Sequence, residues 1–214
     1  MSNVERRTSN ASGYDRVMYV PSHFEETRPE VLQQLIREAP LGALVLHGPA
    51  GLDANHIPFL FEPPQDPAEG GGRLLAHVAR ANPLWHETAD GAEALVIFRA
   101  ADAYISPNWY PTKHELHRSV PTWNYAVVHA HGTLHVHDDE PFVRGVVARL
   151  TREHETRAGQ TPPWKMTDSP RDFIDQMVAA IVGVEIRLTR LVGKFKLGQN
   201  REDRDRQSVA DALE

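Results

Sequence analysis

The sequence predicts an α+β, mainly β fold: a small antiparallel barrel of six or seven short strands decorated by helices. Three observations carry this. Apolar and polar residues alternate with period two over Trp123 to His137 and again over Val184 to Thr189. Short apolar runs elsewhere are separated by Gly and Pro turns, as at Gly48-Pro49 and Gly51. Helical spacing is confined to the start of the chain and to one late block. Strands and helices do not alternate regularly, which argues against a doubly wound sheet, and no internal repeat is visible.

In chain order, residues 1–13 form a polar lead-in, and Tyr14 to Pro21 reads as a short strand stopped by proline. Thr27-Arg28-Pro29-Glu30 fits a capping box with Thr27 as N-cap. Val31, Leu32, Leu35, Ile36 and Ala39 then follow at helical spacing. Leu41 to His47 is an apolar strand, with His56 to Phe61 as its hairpin partner. Pro63-Pro64, Pro67 and Gly70-Gly71-Gly72 mark an exposed loop before a strand at Arg73 to His77. Asn82-Pro83 supplies N-cap and N1 of a short helix carrying Leu84 and Trp85, and Glu93 to Ala100 is another strand. Tyr104 to Val120, rich in proline and aromatics, is too irregular for a regular element and is expected to be a long surface loop. Within Trp123 to His137, Val128, Ala130, Gly132, Leu134 and Val136 share one face and His129, His131, Thr133, His135 and His137 the other. Pro141 to His154 and Ser169 to Ile181 read as helices, the second opened by Ser169-Pro170-Arg171-Asp172. The expected organisation is a single domain over 1–200 with a helical insertion at 141–181, followed by a charged helix or tail at 201–214.

Composition narrows the function classes. In 214 residues there is no cysteine, which removes disulfide scaffolds, thiol nucleophiles and iron–sulfur clusters. Lys+Arg number 23 against 29 Asp+Glu, a net charge of -6 that disfavours sequence-independent binding to nucleic acid. No apolar run approaches membrane-spanning length and the start has no signal-peptide core, so a soluble cytoplasmic protein is expected. The 12 histidines include the pairs His129/His131 and His135/His137, but they have no nearby carboxylate pattern, and His114-Glu115-Leu116-His117 has its histidines three apart where a zincin needs four. No metal site is expected. Phosphate-loop, dinucleotide-binding and GxSxG patterns are absent.

What stands out is a set of segments that mix aromatic walls with directed polar groups. They hold Asn55 and His56; His77, Arg80 and Asn82; Ser106, Trp109 and Tyr110; Trp123 and Asn124; and Lys194. A planar, phosphorylated heteroaromatic ligand needs that mixture, with a cation near the phosphate. Arg80, just ahead of the helix start at Asn82, suits that last role.

In order and spacing these segments resemble the FMN-binding negative transcriptional regulators, the PaiB family. The likeness runs through MYVPSHF (Met18 to Phe24), ANHIPF, AHVARANPLW, YISPNWYPTK, VPTWNY, HAHG and KFKLGQN, with Gly198 standing where the family more often has serine. The resemblance implies a split β-barrel of the pyridoxamine-phosphate-oxidase-like type, about six antiparallel strands with peripheral helices, acting as a homodimer with FMN between subunits. It implies a flavin-dependent regulator or sensor. The alternatives are an FMN-dependent oxidoreductase, such as a flavin reductase or a pyridoxamine-phosphate-oxidase-like enzyme, and, further off, a haem-binding protein. On this reading the FMN phosphate lies near Arg80 and Asn82 with Lys194 as second cation, and the other named residues contact the ring or ribityl chain. DNA contact has little support: no two predicted helices are joined by the 3–4-residue turn of a helix-turn-helix, and the acidic residues of the tail cancel Arg201, Arg204 and Arg206.

Overall fold

The computed structural model describes residues 18–64 and 71–214. Eight strands form one antiparallel sheet: β1 (Glu25–Glu26), β2 (Leu41–Gly48), β3 (Gly51–Pro58), β4 (Leu60–Glu62), β5 (Arg73–Ala79), β6 (Glu93–Ile105), β7 (Thr122–His137) and β8 (Ile181–Lys196). Their order is β3-β2-β6-β7-β8-β5-β4, with β1 pairing to β8. Six strands are long, while β1 and β4 have two and three residues. This is the mainly β barrel expected from the alternation.

Side chains facing inward build the main core. Leu44 and Leu46 of β2, Val96 and Phe98 of β6, Val128 and Ala130 of β7, and Val184 and Ile186 of β8 are all buried there. Helix α1 (Pro29–Glu38) adds Leu32, Leu35 and Ile36 to the same core. Each such Leu, Ile, Val or Phe side chain contributes roughly 1.5–3 kcal/mol by leaving water. Phe59 and Phe98 meet edge to face at 5.9 Å.

Two halves of the sheet's outer surface differ. Residues paired in register lie on one face. Helix α4 (Glu140–Arg157) covers one half: its Val146 and Leu150 pack on Leu60 and Leu75, and the Phe142 ring stacks on His137 at 3.8 Å. Gly183 allows this approach, since a Cβ there would sit 2.6 Å from the Phe142 ring. Helix α5 (Arg171–Ala179) joins α4 through Val143, Ile174 and Val178. The other half has no roof among the described residues. Its rows run His56–Ala43–Ile97–His129–Val192 and Ala54–Val45–Leu95–His131–Arg190 across β3, β2, β6, β7 and β8. β7 and β8 pass through both halves, and their register shifts between His131 and Gly132. Glycine is required at that bulge, because a Cβ on Gly132 would lie 2.2 Å from the Arg187 carbonyl oxygen.

Several local expectations are corrected. The N-cap of α1 is Arg28, not Thr27; Pro29 holds N1 and Glu26 accepts the Arg28 N–H at 2.9 Å. The expected strand at His56 to Phe61 is divided between the end of β3 and β4, and helix α2 (Leu84–Glu87) starts one residue later than read. Tyr104 to Val120 is not a surface loop. It holds the end of β6, a 3-10 turn at Pro107–Trp109 and helix α3 (Pro111–Leu116), and it buries Ile105, Tyr110 and Thr112. β8 is far longer than Val184 to Thr189. Met18 to Pro21 carries no strand; residues 1–17, with the rest of that expected strand, and 65–70, with Pro67 and Gly70, lie outside the described residues. Helix α6 (Asp203–Leu213) follows β8.

Candidate functional site

The residues singled out from sequence gather into two groups. The larger lies where β6 and β8 end and β7 begins. On β8 the i, i+2 spacing of Lys194 and Lys196 puts both ammonium groups on the outer face, because strand side chains alternate. Lys194 lies opposite Val127 and Lys196 opposite Tyr125. The Lys194 Nζ donates to the Tyr19 carbonyl oxygen at 3.1 Å and sits 5.6 Å from the Tyr19 and Tyr125 ring centres. Lys196 donates to Thr122 Oγ1 and, at 2.6 Å, to the Trp123 carbonyl oxygen. The guanidinium of Arg201 lies 4.8 Å over the Tyr110 ring.

These three cations form no ion pair among the described residues. Burial pushes the Lys196 ammonium down; Tyr125 opposes this, and the charges of Lys194 and Arg201 add to it. A small cavity of about 70 Å³ opens between Lys196 and Arg201, with Phe24, Tyr110, Thr122, Asn124, Gly198 and Asn200 around it. Beside it Trp123, 52 % exposed, meets Tyr104 edge to face at 6.1 Å. Cations without carboxylates, amide side chains and exposed aromatic faces are what an anionic aromatic ligand needs.

The structure therefore brings together Tyr110, Trp123, Asn124 and Lys194. Ser106 and Trp109 adjoin them: Ser106 Oγ caps the 3-10 turn by accepting the Asn108 N–H at 3.2 Å, and Trp109 packs on Ile105, Tyr110 and Val209. Sequence reading missed Lys196 and Arg201. Lys196 had a signal, since it is two residues from Lys194 on a strand.

The second group lies on β3 and around the end of β5. The Asn82 side chain donates to Asn55 Oδ1 at 2.8 Å and accepts the Leu84 N–H at 2.9 Å, capping α2. His56 is exposed on the bare face of β3, opposite Ala43. His77 faces α4, its Nδ1 is buried without a hydrogen-bond partner, and burial lowers its pKa. No hydrogen bond joins this group to the first within the described residues.

Arg80 is placed otherwise than expected. Its guanidinium holds Asp138 with two bonds, of 2.5 and 3.0 Å, and donates to the Ala179 carbonyl oxygen at 2.8 Å. The Asp138 pairing raises its pKa. The neighbouring hollow, about 170 Å³, also holds Asp139, Glu140 and Asp175. That surround is acidic, and within it the Arg80 charge ties β5 to the start of α4 and the end of α5.

Fold and site together define a split-barrel protein with a cluster of cationic and aromatic side chains at one end of its sheet. The family described as "Putative FMN-binding domain" matches residues 18–190, and the chain belongs to it. The resemblance to the PaiB family read from the motifs is thereby borne out, and a flavin is the cofactor that membership supports. An uncharacterized protein of Aspergillus fumigatus is 32% identical over 237 residues, covering 92% of this chain and 91% of that protein. Protease synthase and sporulation protein PAI 2 of Bacillus subtilis is 27% identical over 197 residues, covering 92% and 89%. Among solved structures, the FAD and haem binding protein from Mycobacterium smegmatis superposes with a TM-score of 0.59 at 21% identity, over 85% of this chain and 78% of that one. At that identity the likeness concerns the fold. No helix among the described residues is long and apolar enough to cross a membrane.

Proposed function

We propose that this protein binds FMN between two copies of itself and acts as a flavin-dependent regulator or sensor in the cytoplasm. The observation that carries the flavin reading is the cation group Lys194, Lys196 and Arg201, without carboxylate partners among the described residues and set beside Trp123, Tyr104 and Tyr125. In this reading the phosphate lies against Lys196 and Arg201, Asn124 and Asn200 offer amide hydrogen bonds, and the aromatic side chains flank the ring. A bound flavin supplies electron or hydride transfer; the chain's own groups bind, orient and exclude water.

Two features support the dimer. The unroofed sheet face carries half-buried apolar side chains at its centre (Val45, Leu95, Ile97, Val192), and apolar surface left partly open in this way marks an association site. The site residues also fall into two separate groups within one chain. A second copy across that face would lie over His56 of β3, which pairs with Ala43 on the same side of the sheet. The regulatory role is the finer step. Its support is the name of the Bacillus relative, and its output need not be DNA: α4 and α5 are joined by 158–170, far longer than the turn of a helix-turn-helix.

The test is FMN titration followed by quenching of flavin fluorescence. Lys196→Ala should raise the Kd roughly ten- to hundredfold, the loss of one charge-assisted contact. A parent protein that neither quenches FMN nor carries flavin on purification would overturn the reading.

A further inference from the structure

We infer that helix α6 is a positioning element of the flavin site, with Asp205 as its decisive contact, so that flavin binding and α6 docking favour each other. The inference rests on the flavin reading above. The family match ends at residue 190, so α6, Arg201 and both lysines lie beyond it.

The segment that α6 holds is weak by itself. α3 has six residues, and isolated helices this short are marginal in water. Its N-cap, Tyr110, makes no side-chain capping bond, and Pro111 at N1 has no N–H to offer. The first N–H needing a partner belongs to Thr112. Asp205, 93 residues away, supplies it: Oδ1 accepts the Thr112 N–H at 3.1 Å and Oδ2 accepts the Thr112 hydroxyl at 2.6 Å. Asp205 is 2 % exposed. A carboxylate so buried is tolerable only where hydrogen bonds replace its water, so losing this one contact leaves both partners unsatisfied.

Three neighbouring contacts run the same way. Arg204 grips Glu115 with two bonds, of 2.6 and 2.7 Å. Val209 packs against Ile105 and Tyr110. Arg201, two residues before α6, lies over the Tyr110 ring and faces the small cavity with Lys196. α6 thus pins the segment carrying Trp109 and Tyr110, and the chain leading into it supplies one of the three cations. Anything that undocks α6 loosens the aromatic wall and moves a charge away from the ligand. By linkage, a ligand that uses both must hold α6 down.

Hydrogen exchange on the full chain, with and without FMN, tests this alongside flavin titration. Asp205→Ala should strip protection from the amides of Lys113 to His117, leave β2 and β6 protected, and raise the FMN Kd roughly tenfold. Asp205→Asn keeps an acceptor for the Thr112 N–H and should restore most of both, which a general packing defect would not show. FMN added to the parent should slow exchange in α6. Thr112→Val removes one of the two bonds and should give the same changes to a smaller degree, which serves if Asp205→Ala does not fold. Unchanged protection at Lys113 to His117 would overturn the contact, and lost protection with unchanged FMN affinity would overturn the coupling. A parent that binds no FMN refutes the site reading itself, an outcome distinct from a parent and an Asp205→Ala variant that bind FMN equally.

Discussion

The two halves of the outer sheet surface are built from the same strands with the same alternation, yet they end in opposite environments. Under α4, the outward residues Leu60 and Leu75 are buried by Val146 and Leu150. Glu185, only 4 % exposed there, is kept charged despite its burial by His137 at 2.7 Å and by Arg187; those hydrogen bonds outweigh desolvation and lower its pKa. On the bare half the same face of β7 carries the half-buried His129 and His131, and β3 leaves Leu52 77 % exposed. An outward apolar residue therefore acquires its meaning from what is placed over it: it is core where α4 lies and part of the proposed dimer face where no described residue covers it.

Substitutions that treat the halves alike should separate them. Leu75→Asp puts an unpaired charge beneath α4 and is expected to abolish folding or cost upwards of about 4 kcal/mol, read as a collapse of the urea midpoint. Ile97→Asp, on the bare half, should leave the fold standing and convert the protein to the 24.0 kDa monomer in light scattering. A dimer that survives Ile97→Asp would move the interface elsewhere.

The cations can be compared in the same way. Arg80→Ala removes the tie to Asp138 and should leave FMN affinity within about twofold of the parent, against the large loss set for Lys196→Ala. Equal losses in the two variants would return Arg80 to the site.

The smallest effect expected is in pH. His77 on the roofed half is held below the ordinary histidine value of 6.5 by burial. His129 on the bare half is lowered by burial first and by His131 second. Both resist a proton that the unfolded chain accepts, so their contribution is complete above about 6.5 and is lost as pH falls below it. Urea midpoints at about pH 8 and about pH 5.5 should show this loss, and His129→Gln should reduce it. A midpoint that does not fall on acidification would contradict both histidine placements.

What the sequence made legible follows from distance along the chain. The alternation in β7 is local, so its inward and outward faces could be read, and the KFKLGQN segment named Lys194, which lies beside Tyr125 in the cation group. Three things were not local. Arg80 finds Asp138 at a separation of 58 residues, which turned an expected ligand contact into a tie between elements. Tyr104 to Val120 looked irregular because its cap is Asp205. The start of β8 is apolar on both faces, covered by the core within and by α4 without, so it shows little period-two signal where Val182, Gly183 and Val184 are all buried.

The bulge at His131/Gly132 lets β7 and β8, 16 residues each, cross from one half to the other without a break. Along β7 and β8 no hinge or linker falls between the helix-roofed half and the lysine end, so the two are expected to melt together. Calorimetry should record one endotherm whose van't Hoff and calorimetric enthalpies agree. Occupancy at the lysine end would then be felt as heat resistance under α4, where no ligand atom reaches.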